Sequence, residues 1–361
     1  MTDPFPRDHP AEPAWSTGEL SRWGFDAKSL ALARAVAGPG DLPGRVTRAD
    51  ARSCLVRLAG GERQVPVARR LLGPADERPT TGDFVLVRGG ELAVVLERRS
   101  TVVRASPDPG RGAQTLAANV DTVLVVEPLG ERWRPRRLER LLVAAWQSGA
   151  LPVVVLTKAD QADDLPAALS AATAVAPGAA VLAVSARTGD GMGALSGELA
   201  SGSTTVVIGR SGAGKSTLAN VLSGGAAGLS TGEVRPDGKG RHTTIARELV
   251  MLANGALMID TPGLRALGLV DAGEAIEQAF SEIEELAAGC RFRDCSHGRE
   301  PGCAVLEAIS SGALAADRLA GYQRLQREQA RLEAMGDKRL QAEQAARWRR
   351  LAREVQRLPR R

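Results

Sequence analysis

The chain has 361 residues and a mass of 37.8 kDa, enough for two or three domains, and its 43% hydrophobic content is that of a globular protein. Only 3% of the residues are aromatic, so the cores must rest on Val, Leu, Ile and Ala, and no apolar run of about 18 residues offers a membrane span. The net charge of +5 is uneven: residues 318–361 carry 13 Lys or Arg against 5 Asp or Glu, a concentration that suits a polyanion such as RNA as readily as a solvated helix face.

Residues 1–40 read as a leader with a short helix, LALARAVAG. They lack the basic-then-apolar pattern of a secretion signal, so a cytoplasmic protein is expected. Over 41–105 the apolar period becomes two. GRVTRA, RSCLVRL, RQVPVAR, DFVLVRG and ELAVVLERR are five short strands, which fit an OB-fold-like β-barrel whose open face commonly binds oligonucleotides. Phe84 is the one aromatic in these strands, so arginine contacts to phosphate are expected rather than base stacking. STVVRASPDPGRGAQ reads as a linker. From 113 to 272 strands alternate with helices: VDTVLVVE, PRRLERLLVAAWQ, LPVVVLT, DLPAALSAAT, AAVLAVSA, MGALSGELA, STTVVIG, then a helix from Gly-Lys-Ser, then RELVML and ALMID. That alternation predicts a doubly wound α/β domain with ligands at the carboxyl ends of its strands. Residues 273–361 hold a Cys/His cluster and then Ala, Leu, Glu and Arg at helical spacing.

GRSGAGKST has the full G-x-x-x-x-G-K-[ST] form between a strand and a helix. The glycines let backbone N–H groups curl round phosphate oxygens, so Gly209, Arg210, Ser211, Gly212, Ala213, Gly214, Lys215, Ser216 and Thr217 are candidate phosphate contacts. Lys215 would bridge the outer phosphates and Ser216 would ligate Mg²⁺. Asp260, closing ALMID and opening Asp-Thr-Pro-Gly, is a second Mg²⁺ candidate, and the Gly263 N–H is placed to sense the γ-phosphate. Between them, GEVRPDGKGRHTTIA is polar and glycine-rich, and either Thr243 or Thr244 can supply another hydroxyl to the metal.

TKAD stands at the end of LPVVVLT. The Asp160 carboxylate can accept from the N1 and N2 donors of guanine, which adenine lacks, with Thr157, Lys158 and Ala159 beside it. In VSARTGDG, Ser185 and Ala186 can offer a backbone N–H to the guanine carbonyl. These motifs occur as in GTPases but in rotated order, the base-reading pair preceding the phosphate loop, which resembles a circularly permuted GTPase. Cys290, Cys295, His297 and Cys303 follow as Cys-x4-Cys-x-His-x5-Cys, a closed four-ligand set of the structural zinc type. Cys54 stands alone in a strand and is expected to be a buried small hydrophobe.

With a barrel before the permuted GTPase and CRFRDCSHGREPGCAV after it, the chain resembles the ribosome small subunit-dependent GTPase A family from about Gly44 to the C-terminal helices. The resemblance implies a GTPase acting late in maturation of the 30S subunit, with hydrolysis stimulated by that subunit; binding to the subunit and its rRNA, a monomeric state and no membrane partner are expected. One departure is Thr157 where most members have Asn, which weakens guanine preference without removing it. Leu264 follows the DTPG turn where many GTPases carry a water-orienting Gln, so slow intrinsic turnover is expected and His242 is the candidate water-positioning group. The rival readings are a small-molecule kinase, for which no second substrate constellation is found, and an RNA-holding module with little turnover.

Overall fold

The computed structural model describes residues 15, 17–74, 76–105, 113–130, 133–225, 247–260 and 272–334. They belong to two compact units, within residues 1–268 and 269–361.

The first unit opens with α1 (Thr17–Arg22) and α2 (Ala27–Val36). Asp26 caps α2, its carboxylate accepting from the Ser29 N–H at 2.8 Å while the Ser29 hydroxyl accepts from the Asp26 N–H at 2.9 Å. Five strands follow: β1 (Leu42–Ala49), β2 (Ser53–Leu58), β3 (Gly61–Pro66), β4 (Phe84–Arg88) and β5 (Glu91–Val95). Antiparallel pairing runs β3–β2–β1–β4–β5, and a parallel bridge between Val67 and Leu92 closes the ring, so the barrel leaves few unpaired edges. Val46, Val56, Val85 and Leu92 point inward and are fully buried. Phe84 is buried too, its ring 4.5 Å from Phe25 and 4.3 Å from the Arg45 guanidinium, so no base can stack on it.

The stretch read as a linker is instead an antiparallel hairpin, β6 (Thr101–Ala105) with β7 (Ala113–Ala118). Its Pro- and Gly-rich middle masks two flanks that each bury apolar residues: Val102, Leu116 and Ala117 join the core of the α/β domain. That domain comprises β8 (Thr122–Pro128), α3 (Arg136–Gln147), β9 (Leu151–Thr157), α4 (Leu165–Ala174), β10 (Ala180–Ala183), α5 (Met192–Glu198), β11 (Thr204–Ile208), α6 (Lys215–Leu222), β12 (Glu248–Met251) and β13 (Leu257–Asp260). The sheet order is β10–β9–β8–β11–β13–β12, parallel except for β12.

Because side chains alternate across a strand, each apolar run feeds two cores. Val123, Val125, Val154 and Leu156 pack with Leu138 and Leu142 of α3 and Ala168 of α4. Leu124, Val126, Val155 and Val207 pack with Leu195 of α5 and Leu218 of α6. Each buried Val or Leu side chain stabilises the fold by about 1.5–3 kcal/mol.

The barrel and the α/β sheet are continuous, since β1 meets β12 at Arg48 and Glu248. Arg45 fastens the same seam from inside. Its guanidinium is fully buried and donates to Gly82 O (3.1 Å), Trp23 O (2.9 Å), Asn119 O (3.2 Å) and the Thr204 hydroxyl (2.8 Å) at the start of β11. Burial draws its pKa down to about 9, so it remains charged at neutral pH.

The second unit contains α7 (Gly273–Ala279), α8 (Ser281–Ala287), α9 (Ala304–Ser310) and a helix over residues 316–334. Arg318 lies 4.1 Å from the centre of the Phe280 ring and donates to Glu282 at 2.7 Å, fixing that last helix on α7 and α8. Among the described residues no helix is long and apolar enough to cross a membrane.

Candidate functional site

Five parallel strands bring their carboxyl ends to one edge of the sheet, and the sequence motifs gather there. After β11 the chain turns through Gly209, where φ is +148° and an added Cβ would strike the Val126 carbonyl at 2.2 Å. The loop from Gly209 to Gly214 then delivers Lys215, Ser216 and Thr217 as the first turn of α6, whose free N–H groups and dipole favour an anion. Ser216 and Thr217 are exposed, as are Arg210, Ser211 and Gly212, whereas Ala213 is buried. The Lys215 ammonium donates to Gly209 O and Arg210 O, each at 2.7 Å.

The base-reading candidate meets this loop directly. The Thr157 hydroxyl donates to Ala213 O at 2.7 Å, joining the end of β9 to a loop 56 residues later. Lys158 adopts left-handed backbone (φ +57°), uncommon for a residue with a Cβ, and so turns the chain into a short 3-10 segment, Ala159–Gln161, that raises Asp160 above the sheet edge. The Ala159 N–H donates to Val184 O at 3.1 Å, which ties this turn to the loop after β10.

In that loop Ser185 is buried and its hydroxyl donates to Asp160 Oδ1 at 2.6 Å. The Arg187 guanidinium donates to Asp160 Oδ2 from Nε at 2.9 Å and approaches it with Nη2 at 2.8 Å. The Ser185 hydrogen bond, aided by Arg187 and opposed by burial, holds the Asp160 carboxyl below its ordinary value of 3.8. Asp160 is therefore an ionised acceptor at neutral pH, with Ala186 half-buried beside it.

Two residues at this edge were not anticipated. Arg187 follows Ser-Ala and could be read as loop charge, and its role depends on the tertiary fold around Asp160. Glu127 closes the apolar run VDTVLVVE, where a single carboxylate at a strand end was the available signal. It is buried near the phosphate loop, accepts from Arg137 at 3.4 Å, and has its pKa raised by burial against the pull of Arg137 and Arg210. Asp260 ends β13, opposite Glu248 of β12. The other candidates in this region, His242, Thr243, Thr244 and Gly263 with Leu264, lie outside the described residues.

In the second unit Cys290, Cys295, His297 and Cys303 bring their ligand atoms within 4.8 Å of one another. The Cys290 and Cys303 sulfurs are 3.9 Å apart and lie 3.7 and 3.5 Å from His297 Nδ1. A tetrahedral ion with metal–sulfur bonds of about 2.3 Å requires sulfur–sulfur edges of about 3.8 Å, and the Cys290–Cys303 edge matches that geometry. Burial pushes the Cys290 thiol up, but the N–H groups of Val305 and Ala304 and its sulfur neighbours outweigh it and hold it below its ordinary value. Left-handed backbone at His297 (φ +55°) aims the imidazole inward.

Glu300, also not anticipated, organises the turn that carries His297. Its carboxylate accepts from the Ser296 hydroxyl and from the N–H groups of Ser296 (3.0 Å), Gly298 (2.8 Å) and Arg299 (3.0 Å), which pull its pKa to about 2. Cys54 lies apart in the barrel, fully buried, its thiol pushed up by burial to about 12 and so inert.

A family profile described as RsgA GTPase matches residues 95–270. A protein of Streptomyces coelicolor named small ribosomal subunit biogenesis GTPase RsgA is 46% identical over 323 residues, covering 87% of this chain and 87% of its own. Another of the same name from Methanosarcina acetivorans is 39% identical, covering 80% of this chain and 79% of its own. Among solved structures, YjeQ from Thermotoga maritima superposes with a TM-score of 0.59 at 24% identity, covering 80% of this chain and 99% of that one. YloQ, described as a circularly permuted GTPase, gives 0.59 at 25% identity, covering 81% and 96%.

Proposed function

The chain belongs to the RsgA GTPase family, and on that premise we propose a GTP-hydrolysing factor that binds the 30S ribosomal subunit and its rRNA and assists late maturation. Its intrinsic turnover is slow and the subunit stimulates it. The observation that carries this reading is the Thr157–Ala213 hydrogen bond, which supports a single nucleotide spanning the base-reading and phosphate-binding segments.

In this reading Asp160 accepts from guanine N1–H and N2–H, Ser185 orients the carboxylate, and the Ser185 and Ala186 backbone faces the guanine carbonyl. Phosphate oxygens replace the Gly209 and Arg210 carbonyls as partners of Lys215, and the loop N–H groups surround them. When bound, Mg²⁺ neutralises charge on the outer phosphates. Ser216 and Asp260, with Thr243 or Thr244, are the residues to hold it. Gly263 senses the γ-phosphate and His242 positions water. The Cys290, Cys295, His297 and Cys303 set holds one structural zinc, with no open position for chemistry. The protein acts in the cytoplasm as a monomer.

Phosphate release from GTP, measured with and without purified 30S subunits, tests the proposal. Turnover should rise on adding subunits and vanish in Lys215→Ala. Equal rates with and without subunits would refute the ribosomal assignment.

A further inference from the structure

At the seam where the barrel, the β6–β7 hairpin and the start of β12 meet, the first unit has an open cavity of about 210 Å³. Arg78, Arg247, Gln114 and Thr80 line it, and Asp50 is its one acidic wall residue. That carboxylate already faces Arg48, with 3.8 Å between Nε and Oδ2. The balance of the cavity is cationic.

Arg247 is the unusual member. It is half-buried, and among the described residues no carboxylate pairs with it. Burial, and after it the charge of Arg104, holds the Arg247 guanidinium below its ordinary pKa. Arg104 sits on β6 directly opposite Gln114, and its Nε is buried with no hydrogen-bond partner among the described residues. A half-buried guanidinium that also feels a second cation is stabilised by an anion placed beside it. The backbone keeps Arg247 there: its carbonyl accepts from the Thr81 hydroxyl at 3.1 Å, and the next residue, Glu248, pairs with Arg48 across the seam.

We infer that this cavity is a binding site for a phosphate of an RNA backbone, gripped by Arg247 and Arg78, with Arg104 behind and the Gln114 amide at its side. Guanidinium forks match phosphate oxygens in pairs, and a concave cationic surface raises the local concentration of such a ligand. Arg78 and Asp50 stand at an exposed rim, so a phosphate carried on a chain can enter while its neighbours remain in solvent. The inference rests on the proposed ribosomal function only for its natural RNA.

The test uses the full chain saturated with GDP, so that the phosphate loop is occupied. Binding of a short fluorescein-labelled RNA is followed by anisotropy between about 50 and about 200 mM salt, for the wild type, Arg247→Gln and Arg78→Gln. Each variant should bind RNA more weakly at low salt. Each should also flatten the slope of log affinity against log salt by about one, the mark of one lost phosphate contact. GDP affinity and the thermal midpoint should not move, and the exposed position of Arg78 guards against a merely misfolded Arg247 variant. Wild-type affinity and slope in both variants would overturn the site. Arg247-dependent binding of inorganic phosphate, with RNA binding indifferent to Arg247, would overturn the assignment to RNA. Co-sedimentation with purified 30S subunits separates the two levels. Variants that lose RNA contact while the wild type ignores subunits leave the site standing and remove the ribosomal reading. Variants that bind RNA and subunits like the wild type do the reverse.

Discussion

Thr157 stands where a longer Asn side chain would be expected in a base-reading motif, and its hydroxyl is committed to the phosphate loop through Ala213 O. Thr157→Val keeps the shape, removes the donor and leaves a buried carbonyl unpaired, at about 1–3 kcal/mol. Calorimetric titration should therefore show GDP affinity falling roughly tenfold or more, with adenine nucleotides no better bound than before. Asp160 gives a pH prediction. Its folded pKa is depressed below 3.8, so the stabilisation from Ser185 and Arg187 is present above that value and is lost only as pH falls through the depressed one. The preference for GDP over inosine diphosphate, in which phosphate titration cancels, should stay flat from about pH 8 to about pH 5. A preference that fades within this range would mean that Asp160 is not the reader of the 2-amino group.

Among the elements, the seam around Arg45 and the Cys/His turn carry the sharpest consequences. Arg45→Met strips its donor from the Trp23 and Asn119 carbonyls and the Thr204 hydroxyl, and leaves Gly82 O with the Asn119 amide alone, so chemical denaturation should show a loss of about 3 kcal/mol or more. An unchanged midpoint would mean that the seam is held elsewhere. Treating the protein with a strong chelator should release one zinc per chain and lower the helical signal of the second unit, while GDP affinity persists. Metal content far below one per chain would contradict the closed four-ligand set. These elements also mark how far a sequence can be read. The strands announced themselves because β8, β9 and β11 bury residues on both faces, and the phosphate loop because its glycines are a backbone requirement visible in one dimension. The β6–β7 hairpin was missed because Pro and Gly at its centre outweighed two short apolar flanks. The β1–β12 pairing, the Arg187–Asp160 contact and the role of Glu300 are long-range or turn-specific, with no local period to reveal them.

For the whole molecule, rotating the order of motifs along the chain leaves their spatial order intact, because parallel strands converge at one sheet edge whichever segment is synthesised first. Sheet order β9–β8–β11–β13 sets the base-reading turn on one side of the phosphate loop and Asp260 on the other. The account depends on Asp160 and the phosphate loop serving one nucleotide. Xanthine carries a carbonyl where guanine carries its 2-amino group, so Asp160→Asn, which exchanges an acceptor for a donor, should reverse the preference. The decisive measurement is subunit-stimulated phosphate release by Asp160→Asn with GTP and with xanthosine triphosphate. The account predicts GTP turnover at subsaturating nucleotide reduced by roughly two to three orders of magnitude, with xanthosine triphosphate restoring it. Undiminished GTP turnover in this variant, with no gain for xanthosine triphosphate, would contradict it.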